Sequence, residues 1–188
     1  MPGNSAAIIG PYEAFCAGAD ENTTINDVAA ELATMIVNFH ATLLAGPPST
    51  GANITSGLVA APIESALLSD LMALEARGSA TPPLPPDFLS TATAITTGLM
   101  AIMINPAIPA LPAIVPISGY LVSFSGLPIT LAASIASAMI GPLPSATAAG
   151  LVAGLTTNAI TVTGLYIGNM PGPSGLMPAP PIPWVGLI

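Results

Sequence analysis

Few residues in this chain could do acid–base, nucleophilic or metal chemistry. There is one histidine, His40, and one cysteine, Cys16. A nucleophile–histidine–acid arrangement would have to be built on His40, and a Cys/His zinc site cannot be assembled from one of each. The acids fall in pairs, Asp20/Glu21, Asp27/Glu31 and Glu64/Asp70, and two neighbouring carboxylates can divide acid and base work. The same spacings also describe a solvated helix face or a first turn favoured by the helix dipole, and that is the reading adopted. An enzyme would need a ligand or metal near Glu31, His40 or Glu64. The loop GPPSTGANITSG (46–57) is rich in glycine and serine but lacks the lysine of a phosphate-binding loop. Methionines such as Met100 and Met103 have the spacing of core filling rather than of a soft-metal path. Cys16 cannot form a disulfide within the chain and reads as a structural thiol, with an intermolecular bridge as the sharper alternative. The sequence therefore predicts no catalytic residue, no cofactor and no metal, and a protein that is not an enzyme.

The charge that would solvate these groups is scarce. Charged residues make up 5% of the 188, against about 25% in ordinary soluble domains. Mean hydropathy is +0.80. There is no lysine, and Arg77 is the only arginine, so recognition of nucleic-acid phosphates is excluded and a polybasic membrane patch is absent. Nine of the ten charged residues precede position 80, and after Asp87 none occurs through Ile188. The chain is thus read as two parts, an amphipathic helical part (1–80) and an uncharged part rich in Pro, Ala and Gly (81–188). The N-terminus lacks a basic run followed by a long apolar stretch, so no secretory signal is expected.

Periodicity supplies the elements. TINDVAAELATMIVNFHATLLAG (24–46) has Val28, Leu32, Met35, Ile36, Phe39 and Leu43 on one helical stripe. Thr24 and Asp27 stand at capping-box spacing. A second helix is predicted over 61–77, with Pro62 in the first turn and Arg77 in the last. A third spans 87 or 88 to 104. Prolines at 106, 109, 112 and 116 then forbid a helix and impose an extended apolar strap. A short apolar helix is expected within PITLAASIASAMIG (128–141), and the first half of 144–171 favours helix. The tail (171–188) is another proline-held strap. The fold class predicted is mainly α: a small helical core with long proline-rich extended segments and short strands near 119–124 and 159–167.

Two functional readings follow. The first is a structural subunit buried in a large oligomeric assembly, of the kind found in a virion or phage tail, with copies of itself and other structural proteins as partners. Its straps would dock through Trp184, Val185, Leu187 and Ile188 and through Ile108, Leu111 and Ile114. The second is a membrane-embedded or pore-forming protein with helices near 88–105 and 145–170. Spacings of the type Gly150/Gly154 and Gly164/Gly168 let helices approach closely in lipid. Against it stand the absence of Lys and Arg beside the candidate spans and the unpaired backbone of the straps. The assembled particle is the favoured location.

Overall fold

The computed structural model describes residues 4–44, 57–78, 87–103, 108–109, 118–125, 128–173, 175–178 and 181–187. The protein is mainly α, with six helices: α1 (Ile9–Gly18), α2 (Ile25–His40), α3 (Ala60–Gly78), α4 (Leu89–Met103), α5 (Pro128–Met139) and α6 (Pro144–Thr161). They pack in a closed order. Each of α1 to α5 rests on the next, and α1 closes the ring by lying against both α6 and α2. One buried apolar cluster runs through all of them, from Ile8 and Phe39 through Leu67 and Ile95 to Ile135 and Leu155.

Local chemistry explains the starts and stops. Thr24 caps α2 with the reciprocal bonds of a capping box: its Oγ1 accepts from Asp27 N, while Asp27 Oδ2 accepts from Thr24 N at 2.8 Å. Helix α2 ends at His40, earlier than the predicted Gly46, and one further turn carries the chain to Leu43. Pro144 begins α6, where a missing N–H costs nothing. Helix α1 was not anticipated. It has no side-chain cap and no amphipathic stripe; Ile9, Tyr12 and Phe15 turn toward the core, with Ile8 buried just before them.

The strands form one antiparallel sheet: β1 (Ile108–Pro109), β2 (Ser118–Ser125), β3 (Thr163–Gly172), β4 (Gly175–Pro178) and β5 (Ile182–Val185). β2 and β3 pair from Ser125↔Thr163 to Ser118↔Asn169, with a bulge at Val122. The α5–α6 hairpin is therefore the connection between two paired strands. β4 pairs with the far half of β3 and β5 with the near half, so the proline-rich tail is a single interrupted edge. Pro178 and Pro183 withhold N–H groups along it, a common way of blunting an edge strand. The predicted strand at 119–124 is present. The one near 159–167 begins later than expected, because residues 159–161 complete α6.

Candidate interaction surface

Carboxylates and other polar groups of the first half are occupied in holding the fold. Asp70, on α3 and buried, accepts from Thr91 N and Thr91 Oγ1, both at 2.8 Å. A side chain 21 residues away thus caps the start of α4. Asp87 accepts from Leu89 N and lies 3.6 Å from Arg77, the chain's one arginine. Asp20 accepts from Asn22 N, which holds its carboxyl below the usual range. The Thr24 hydroxyl does the same for Asp27. Of the acid pairs noted in the sequence, Asp27 and Asp70 serve as helix caps. No cluster of three metal-ligating side chains occurs among the described residues.

His40 is fully buried at the C-terminal end of α2. Its Nδ1 lies 2.8 Å from Ile36 O, so Nδ1 carries the proton and donates. Burial pulls its pKa down to about 4, against the smaller upward pull of that carbonyl. Glu31 is half-buried and Glu64 exposed, and neither belongs to a common site with it. Cys16 is a half-buried free thiol beside Tyr12. Burial first, and the neighbouring thiol second, push the tyrosine up to about 12.

The second half presents a different kind of surface. α5 and α6 touch at backbone distance. A Cβ added at Gly150 would stand 2.9 Å from Ala138 Cβ, and one at Gly154 would stand 2.7 Å from Ser134 Cβ. The GxxxG spacing, read in the sequence as a feature suited to lipid, packs α6 onto α5 within this chain. Gly164 and Gly168 lie on β3, not on a helix. The outward side of the hairpin is an open groove of about 630 Å³ bordered by Thr130, Ala133, Ser137, Ala146, Ala153 and Thr157. Large apolar side chains of the same hairpin are exposed: Ile129 is 76% exposed, Ile140 63% and Leu143 61%. Beside Ile129, a second hollow of about 410 Å³ is walled by Asp87, Phe88, Leu89, Ala132 and Ala136. Asn158 is buried on α6, and its side-chain amide has no hydrogen-bond partner among the described residues.

The residues expected to dock on neighbours are dispersed. Ile108 lies in β1, and Trp184 and Val185 lie in β5, paired with β3 of the same chain. Leu187 is a correction. It is wholly buried in its own core, and its N–H donates to Ala159 O at 2.8 Å. Gly186 makes that return, with φ 77°, and a Cβ there would stand 3.2 Å from Ile160 O. Leu111, Ile114 and Ile188 fall outside the described residues. The groove on α5–α6 was missed as a surface. The outward small residues do recur at helical spacing, but they carried no signal above the Ala/Thr/Gly bias of this part of the chain.

No protein-family model, curated protein or solved structure matches this chain. No helix among the described residues is long and apolar enough to cross a membrane. The inserted helices expected near 88–105 and 145–170 correspond to α4, with 15 residues, and to α6, with 18 residues followed at once by β3.

Proposed function

We propose that this chain is a non-enzymatic structural subunit of a large oligomeric assembly, such as a virion or tail component, and that its partners are copies of itself and other structural proteins. The observation that carries the reading is the α5–α6 hairpin. The hairpin itself carries no charged residue, offers only small side chains along a groove, and leaves Ile129, Ile140 and Leu143 each more than half exposed. Apolar exposure concentrated on one uncharged hairpin suits an interaction surface. Covering one such side chain is worth about 1.5–3 kcal/mol. Small residues let a partner's helix come close without displacing side chains. The uncharged β2–β3 ribbon, with its proline-blunted edge, supports the same reading. The engagement of Asp27, Asp70, Asp87 and Arg77 in caps and an ion pair supports a protein whose polar groups serve structure.

The test is sedimentation of the full chain without detergent. The expected result is association at micromolar concentration. A stable monomer of 18.5 kDa would overturn the proposal.

A further inference from the structure

The exposed face of the α5–α6 hairpin has a definite profile of side-chain size. Along α5 the exposed positions include Ile129, Ala133, Ser137 and, just past the helix end, Ile140. Along α6 they include Ala149, Ala153, Thr157 and Ile160. Spacings of three and four residues keep each set on one helical stripe. Ser134 lies against Gly154 and Ala138 against Gly150, so a step forward along α5 is a step back along α6. Ile129 is therefore level with Ile160, 47% exposed, at one end of the face, and Ile140 and Leu143 stand at the turn end. The middle, at Ala133, Ser137, Ala149 and Ala153, carries nothing larger than serine.

Helices that cross come closest at the crossing point and diverge on either side of it. Small residues suit the crossing, and large ones fill the widening gap. The profile of this face, small at the centre and large at both ends, is that of a crossed contact. It also reads the same from either end, so the face fits a copy of itself rotated by half a turn, which is an isologous contact.

We infer that a second copy of this chain covers this face, the two α5–α6 hairpins crossing about a two-fold axis that passes by Ala133 and Ala153. The inference rests on the reading of the chain as an assembly subunit and adds the partner and the symmetry of this contact.

Charge selects the second copy. Nine acids and one arginine give the chain a net charge of -8. An isologous contact sets residues near the axis against their own copies, so a face bearing these acids would set like charge against like. Residues 128–161 contain no charge. Carboxylates approach the face at its ends: Asp87, paired with Arg77, lines the hollow beside Ile129, and Glu13 shares a hollow with Leu143. Hairpins laid parallel would bring each of these against its own copy, whereas crossed ones carry them apart. The size is sufficient. α6, with 18 residues, is about 27 Å long, and two adjacent helices are about 20 Å across. That footprint is roughly 500 Å² before corrugation is counted, the scale of the about 800 Å² of accessible surface that each partner of a standard interface buries.

Disulfide trapping on the full-length chain tests this. In a Cys16→Ser background each introduced thiol is the only one. Ala133→Cys, Ala153→Cys and, as the off-axis control, Ala146→Cys are oxidised at micromolar concentration and read on non-reducing gels, with circular dichroism and sedimentation of the reduced samples. A bridge needs Cα atoms within about 7 Å, so one or both central variants should form covalent dimers at least about tenfold faster than Ala146→Cys. If a central cysteine lowers helicity, Ser137→Cys, one turn from Ala133 on the exposed stripe, takes its place. Equal trapping at all positions, or trapping at Ala146→Cys alone, refutes the crossing. Association in sedimentation without trapping at any central position overturns the inference and leaves the assembly reading standing, with another structural protein or another face making the contact. A chain that stays monomeric overturns both.

Discussion

The α2–α3 hairpin and the α5–α6 hairpin do the same architectural job by different chemistry. In the first, polar side chains specify geometry. Thr24 and Asp27 fix where α2 starts, and Asp70 fixes where α4 meets α3. In the second no charge is available. α5 and α6 are held by backbone-level contact at Gly150 and Gly154, and the turn between them is set by Gly141, Pro142 and Pro144. Removing charge from a hairpin leaves it able to fold, because close packing replaces polar specification. Its outer face is then without the solvating side chains that the first hairpin retains.

Acid should strain this contrast most. His40 stays neutral in the fold, so stability should be complete above pH 6.5 and fall as pH drops toward about 4. The loss is roughly 3 kcal/mol. Urea unfolding across this range checks it, and His40→Gln removes most of the slope. Next comes Gly154→Val, which places new carbon atoms against Ser134 where a Cβ already stands 2.7 Å away. It should cost about 2–3 kcal/mol by overpacking, while Ala153→Val, one residue along on the exposed side, should cost little. Asp70→Ala should cost about 2 kcal/mol, because it leaves the buried Thr91 N–H and hydroxyl without their acceptor. A change well under 1 kcal/mol would mean that α4 finds another cap. The smallest effect is Thr24→Ala, at about 1 kcal/mol, read as a lowered denaturant midpoint with unchanged slope.

The two hairpins also differ in how far the sequence disclosed them. The first was legible because its signals are local: apolar spacing from Val28 to Leu43, a Thr–Asp pair three residues apart, and a terminal Arg77. The proline straps were legible as extended chain for the same reason, since Pro178 and Pro183 exclude a helix wherever they occur. Their destination was not. Whether Leu187 enters a neighbour or its own core depends on α6, which lies 26 residues away at Thr161 and supplies the acceptor at Ala159. The Gly150/Gly154 spacing announced close helix contact but not with what. Helix α1 escaped notice because its apolar residues surround it and only the presence of α2 and α6 selects a face. The interaction surface was the least legible part. Ala133, Ser137 and Ala153 are unremarkable residues, and their significance lies in being exposed together.

That surface is where the account is most open to test. Ala153 lies on the exposed side of α6 at the groove, so Ala153→Glu places a charge on the face without disturbing the contact at Gly154. Sedimentation velocity of wild type and Ala153→Glu at micromolar concentration, with circular dichroism on the same samples, is the direct measurement. The account predicts a self-associating wild type and a variant shifted toward 18.5 kDa with unchanged helicity. A variant that assembles as the wild type does, or a wild type that remains monomeric, would contradict it.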